Sequence, residues 1–169
     1  MKEIPLTQGY SALVDDEDYE KYAHYRWSAL VQRRGNSVLV YAVRRGPTIN
    51  AQRSSIRLHR EILDAPKHMC VDHIDGDTLN NCRSNLRLCT NAENQRNRGP
   101  RPGLSSAFKG VRWHKKEKRW MVEITIDGKQ KHIGCFVDEE LAARAYDAAA
   151  VKYHGDFAWV NFQAATEAK

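Results

Sequence analysis

The apolar positions come in short alternating runs separated by polar stretches, which predicts many brief strands and few helices. The runs are SALV at 11–14, SVLVYAVRR at 37–45 and SIRL at 55–58. In the second, Val38, Val40 and Ala42 alternate with Leu39, Tyr41 and Val43, apolar on both sides until Arg44, the pattern of a mostly buried strand. Asp15 to Asp18 are acids before Tyr19–Trp27 and predict a helix start there. Arg57–Leu63 is expected to pass from strand into a short helix ended by Pro66. Next come a short strand over Cys70–Ile74, a polar loop over Asp75–Ser84, and a second strand over Asn85–Cys89 with Leu86 and Leu88 facing one way. Thr90-Asn91-Ala92-Glu93 then has the form of a capping box opening a helix.

After the segment RGPRPGLSS at 98–106, read as a basic linker, the pattern resumes with strands over Val111–Trp113, Trp120–Ile126 and Lys131–Phe136. Asp127-Gly128 predicts a hairpin turn between the last two. Asp138 caps a helix that stops before Gly155, and its apolar stripe runs through Leu141, Ala142, Ala145, Tyr146, Ala149 and Tyr153. The expected class is α+β: N-terminal strands with a strand–strand–helix module, then a three-stranded antiparallel sheet packed on one helix. The expected division is 1–98, a linker at 99–106, a second domain at 107–162 and a tail at 163–169.

Charge sharpens this outline. The 169 residues carry a net charge of +6, and the distribution says more than the sum. Gln32 to Arg60 holds seven arginines and no acid, and Gln95 to Lys116 holds seven basic residues and no acid. Such one-sign stretches interleaved with Tyr41, Trp113, His114 and Trp120 suit a polyanion, since each neutralised phosphate releases counterions. No apolar run approaches the roughly 20 residues of a membrane helix, and MKEIPLTQGY lacks the build of a signal peptide. Cys70, Cys82, Cys89 and Cys135 form no CxxC pair, so reduced thiols in a cytoplasm are expected and a structural zinc is not.

The stretch VDHIDGDTLNNCRSNL at 71–86, followed by RLCTNAEN at 87–94, concentrates aspartate, histidine and asparagine where a domain normally packs its core. Asp72-His73, Asn85 and Asn94 stand at spacings of 12 and 9 residues from the histidine onward. With the loop glycine and the helix cap, this resembles the HNH endonucleases, in the small phage and intron-encoded homing type whose last histidine is an asparagine. The resemblance implies that His73 is the general base for hydrolysing a phosphodiester, as an imidazole with an ordinary pKa near 6.5 can be. It gives Asn85 the role of ordering the loop. It makes Asp72 and Asn94 ligands of one Mg²⁺ or similar ion such as Mn²⁺, although Asn91 and Asn97 share the face of Asn94. In an ideal pleat Asp72 and His73 point to opposite faces, so a twist at the strand end is needed to bring both to one metal site. Asp75, Asp77, Asn80 and Asn81 read as loop-formers beside Gly76. A His-Arg pair such as His59-Arg60 commonly precedes the motif in this family, and Arg60 is a candidate phosphate clamp, with packing of His59 under the motif as the alternative.

Residues 107–162 resemble the DNA-binding domain of the plant ethylene-response factors. The matching positions are Gly110-Val111-Arg112, Trp120, Glu123-Ile124, Gly134, Phe136, Ala145-Tyr146-Asp147, Ala149-Ala150 and Asn161-Phe162. In that family the sheet enters the major groove, which implies that Arg112, Trp113, Arg119, Trp120, Thr125, Lys129, Lys131 and His132 face DNA; one of the two tryptophans is equally a candidate for the core. Lys109, Thr125 and His132 depart from the family pattern, which bears on base preference. Arg96, Arg98 and Arg101 are candidate phosphate contacts. The expected function is a metal-dependent, site-specific endonuclease of homing type, acting on duplex DNA in a bacterial host and encoded by a phage or intron. A monomer is expected to nick, and a double-strand break to need a dimer or a second encounter. The rival reading is a DNA-binding regulator whose HNH module does not cut.

Overall fold

The computed structural model describes residues 1–34, 37–49, 52–100 and 103–162. Arg101 and the tail at 163–169, both named above, lie outside the described residues. The chain divides into two compact units, Met1–Asn94 and Gln95–Lys169. No helix among the described residues is long and apolar enough to cross a membrane.

In the first unit, β1 (Lys2–Pro5) pairs antiparallel with β2 (Ser11–Val14). Strands β3 (Ser28–Arg34), β4 (Ser37–Ile49) and β5 (Gln52–Arg57) form an antiparallel sheet in that order. A two-stranded ribbon follows, β6 (Cys70–His73) with β7 (Leu86–Cys89). The helices are α1 (Asp16–Tyr22), α2 (Leu58–Ile62) and α3 (Asn91–Arg96), the last crossing the division between the units. The acids Asp16 to Asp18 form the first turn of α1 rather than preceding it, and the helix stops at Tyr22 instead of running on to Trp27. Trp27 is instead a core residue, 2% exposed, with its indole N–H donated to the Tyr22 carbonyl.

One apolar core joins these pieces: Ile4, Ala12 and Val14 from the first hairpin, Ala42 from β4, Leu58 and Ile62 from α2, and Val71 and Leu86 from the ribbon. Leu88 does not join them. It shares a strand face with Leu86 but stands 40% exposed. The unit is also tied by charge. Asp18, fully buried, receives two hydrogen bonds of 2.8 Å from the Arg83 guanidinium, and the Arg83 N–H is donated to Asp15. Helix α1 is thereby bolted to the loop between β6 and β7.

The second unit is a sheet in the order β10 (Lys129–Phe136), β9 (Arg119–Ile126), β8 (Val111–His114), with α4 (Glu139–His154) on one face. Asp138 caps α4 by accepting the Leu141 N–H. Asp127 and Gly128 turn the β9–β10 hairpin with φ of 48° and 78°, the left-handed pair a two-residue turn demands. The buried stripe of α4 is Ala142, Ala143, Tyr146, Ala149, Ala150 and His154, whereas Leu141 is 59% exposed. The expected stripe was therefore rotated at its start. Gly110, with φ of 76°, lies where a Cβ would come within 1.9 Å of the Tyr146 ring, so the first strand can approach the helix only without a side chain there. Asp147 on α4 accepts the Asn161 and Phe162 N–H groups, which closes the chain end onto the helix.

Ser105 and Ser106, read above as linker, belong to this second unit. Ser105 Oγ accepts the Trp113 N–H, and Ser106 accepts from Phe108 while donating to Glu139. Hydroxyls that compositional reading takes for flexibility here cap strand and helix ends.

Arg83→Ala would leave the Asp18 carboxylate buried without its cation, and removing one partner of a buried pair typically costs about 3–5 kcal/mol. Urea denaturation should show a loss of that size, against a smaller one for Asp18→Asn, which leaves Arg83 half in solvent.

Candidate functional site

The polar stretch at 74–85 is a loop between β6 and β7, and the Asn85 side chain organises it. Its amide donates to Asp75 Oδ1 at 2.8 Å and to the Asn80 carbonyl at 2.9 Å, and its Oδ1 accepts the Asp75 N–H at 3.0 Å. The backbone closes the same ring, Ile74 N–H to the Asn85 carbonyl at 2.9 Å. Asp75 also accepts from the Asp77 N–H and the Asn80 amide, and Asp77 from the Leu79 N–H. Gly76, with φ of 80°, makes the turn. Outside contacts dock the loop: Thr78 exchanges hydrogen bonds with both backbone groups of Val40, and Leu13 bonds Leu79 and Asn81. Asn85 lies in a helical turn over Arg83–Asn85 rather than opening a strand.

This loop stations His73, the last residue of β6, which is 6% exposed. The ladder runs regularly to that point, with Asp72 opposite Arg87 and His73 opposite Leu86. Successive residues of a strand face opposite sides, so Asp72 and His73 project to the two sides of the ribbon. The ladder holds to the strand's last residue, His73 opposite Leu86. On one side His73 meets His59 of α2 edge-on, ring centroids 5.1 Å apart. On the other, Asp72 Oδ2 receives the Arg87 Nε and Nη2 at 2.9 and 2.7 Å. Sequence reading missed Arg87; the signal was present in the hairpin register, which sets an arginine directly opposite the aspartate.

Burial pulls the His73 imidazole below its usual range, against the opposing influence of the Asn81 side chain and then of Asp75, Asp72 and Asp77. The ring is therefore a neutral base at pH 7. His59 is pulled further, to about 3, by burial first and then by the positive charge of His73, Arg57 and Arg60. Its Nδ1 has no hydrogen-bond partner among the described residues. Of the two alternatives for this pair, packing under the motif is what His59 does.

Arg60 does not reach outward. Its guanidinium donates to the carbonyls of Met69, Ala65 and Pro66 at 2.8, 3.1 and 2.8 Å, fastening the turn before β6. Three of its five N–H groups are thus used within the turn. Asn94 lies on α3, whose capping box is present as Thr90 and Glu93 bonding each other's backbone N–H groups. Among the described residues no group of three or more His, Cys, Asp or Glu side chains gathers as a metal set.

In the second unit the register sorts the eight predicted DNA-facing residues onto two faces. Val111, Val122 and Ile124 are buried beneath α4, so the side chains in step with them share the helix side. Trp113, Trp120, Lys129 and Lys131 are on that side; Arg112, Arg119, Thr125 and His132 are on the open side. Trp113 and Trp120, direct partners across β8 and β9, pack edge to face at 4.9 Å. Lys131 is bonded to the Tyr153 hydroxyl of α4 at 2.8 Å. These four positions share the parity of the core, and the other four share the opposite parity. On the open side Arg112 pairs with Glu123 at 2.9 Å while remaining half exposed. Arg96 sits 3.4 Å from Asp127, and Arg98 is exposed.

Residues 64–96 match the HNH endonuclease family, and residues 106–156 match the AP2 domain. Protein 3.8 of Escherichia phage T7 is 34% identical over 107 residues, covering 60% of this chain and 88% of its own length. The chain belongs to the HNH endonuclease family. It carries an AP2 domain as its C-terminal part. An uncharacterized HNH endonuclease, L560 of Acanthamoeba polyphaga mimivirus, is 29% identical over 160 residues, covering 91% of this chain and 76% of its own length. The AP2-like ethylene-responsive transcription factor TOE2 of Arabidopsis thaliana is 46% identical over 65 residues, 38% of this chain; the chain spans only 13% of that plant factor. The match to the HNH family falls on the ribbon, loop and α3, and the match to the AP2 domain on the sheet and the whole of α4.

Buried and neutral, His59 makes the HNH unit acid-sensitive. Its folded pKa lies below the unfolded value near 6.5, so the unfolded chain binds the extra proton as pH falls, and stability present above 6.5 drains away toward pH 3. Between pH 7 and 5 the loss from this residue is about 2 kcal/mol. Urea melts at the two pH values should show His59→Gln losing less on acidification by about that amount.

Proposed function

We propose that the chain is a metal-dependent DNA endonuclease of homing type, whose HNH unit hydrolyses a phosphodiester and whose AP2 unit binds the duplex. The observation that supports this most is the loop closed by Asn85, which holds a buried, neutral imidazole at the end of β6, next in sequence to Asp72. His73 takes the proton of the attacking water, a role its lowered pKa suits at neutral pH. Asn85 keeps the loop in the form that fixes His73 and never touches the substrate.

Asp72 and Asn94 are the oxygen donors proposed for a divalent ion, Asn94 on the family spacing. So sparse a set suits Mg²⁺ or Mn²⁺, which retain waters and draw remaining ligands from substrate phosphate. Such an ion supplies Lewis-acid stabilisation of charge on the phosphate and on the departing oxygen. Arg87, which holds Asp72, orients that carboxylate.

For the AP2 unit the proposed contact surface is the open side of the sheet, with Arg112, Arg119, Thr125 and His132. A three-stranded sheet fits the wide major groove of B-DNA and not the narrow one of RNA. Arg98 is a proposed phosphate contact outside the sheet.

The closed Asp72–Arg87 pair also favours the second reading, a DNA-binding regulator whose HNH unit does not cut. Plasmid relaxation separates the two. With Mg²⁺ or Mn²⁺ the wild-type chain should nick supercoiled DNA, and His73→Ala should abolish nicking while duplex affinity stays within about twofold. Duplex binding with no nicking in either metal would establish the regulator. Arg119→Ala should weaken duplex binding by about 1–3 kcal/mol if it reads a base edge.

A further inference from the structure

Arg57 is the last residue of β5 and the cap position of α2, two residues before His59. It pairs across the sheet with Val43, so its side chain shares a face with Tyr41, and its guanidinium lies over the Tyr41 ring at 5.2 Å. The Tyr41 ring in turn meets His59 at 5.6 Å, and His59 meets His73 at 5.1 Å. A line of aromatic rings therefore leads from Arg57 to the proposed base.

The other arginines around this centre are committed. Arg44 is paired with Glu61, Arg60 with three carbonyls, Arg83 with Asp18, and Arg87 with Asp72. Arg57 has no ion pair among the described residues. Its flat face is occupied by the tyrosine, which leaves its N–H edge to bond outward. A guanidinium braced on an aromatic ring with a free edge is organised for a planar, two-point grip on an anionic oxygen pair.

We propose that Arg57 grips a DNA phosphate next to the scissile one and so registers the strand on His73. This rests on the nuclease reading of the HNH unit. Arg57 is a positioning residue: it holds the backbone, while His73 handles the proton.

The test compares full-length wild-type, Arg57→Gln and Arg57→Lys chains of equal melting temperature. A labelled duplex is titrated over a salt series with Ca²⁺, and nicking of supercoiled plasmid is timed with Mg²⁺. For Arg57→Gln the slope of log affinity against log salt should shrink by about 0.9, one phosphate contact. Its nicking rate should fall about 10²-fold, the loss expected when the strand is misplaced on the base. Arg57→Lys should keep the slope, because the charge remains, and lose nicking about tenfold for want of the fork. An Arg57→Gln chain with wild-type slope and wild-type nicking overturns the proposal. If that variant does not fold, wild-type nicking by Arg57→Lys overturns it instead. A wild-type chain that binds but never nicks sinks the nuclease reading alone, since the slope still reports the Arg57 contact.

Discussion

The first unit depends on one buried side chain that closes an exposed loop onto the strands. Asn85 makes three hydrogen bonds with its amide, two to Asp75 and one to Asn80. An aspartate-rich turn would ordinarily stand in water, where its oxygens need no protein donors. Asp75, Gly76 and Asp77 do stand exposed, whereas Asn85 behind them is 8% exposed, so its amide must find partners within the chain or bear the desolvation cost. Asn85 suits the position because an amide both donates and accepts; an aspartate there could only accept. The two strands flanking the loop then have a fixed end, and His73 a fixed place.

Charge in this chain is less available than its total suggests. The basic stretch before the HNH motif looks, in the sequence, like a surface for a polyanion. In the structure Arg44 and Arg60 are inward-directed fasteners, one on Glu61 and one on carbonyls of the turn before β6. Within the motif, Arg83 and Arg87 each hold an aspartate. Guanidinium groups serve this way because a single planar fork meets several oxygens at once and never loses its proton. Counting cations along a chain therefore overstates what is left for a partner, and the informative residue is one with no acid in reach.

Much of the architecture was legible from local chemistry. The capping box at Thr90–Glu93, the turn at Asp127-Gly128, the ribbon strands and the loop-forming role of Asp75 and Asp77 follow from which atoms need partners within a few residues. What was not legible depends on long-range register. Strands β1 and β3 are short or mixed in polarity and exist because they pair with β2 and β4. Asp18 reads as a helix-start acid, and only the fold brings Arg83 to it from 65 residues away. Which side of the AP2 sheet bears Trp113 or Lys131 likewise requires the pairing frame, including the irregularity between His132 and Gly134 that resets β10. In the site, residue types and spacing were readable, while the opposite facing of Asp72 and His73 was visible only as a difficulty until the ladder was seen to continue.

Gly110 and the alanines of α4 leave only short side chains at several of the points where helix and sheet meet. A layer filled on one side mostly by methyl groups holds few side chains able to change rotamer and little spare volume to take up strain. The open side of the sheet is thus mounted on a stiff plate. Whatever curved surface meets it must supply the bending, so shape adjustment on contact falls to the partner rather than to this protein.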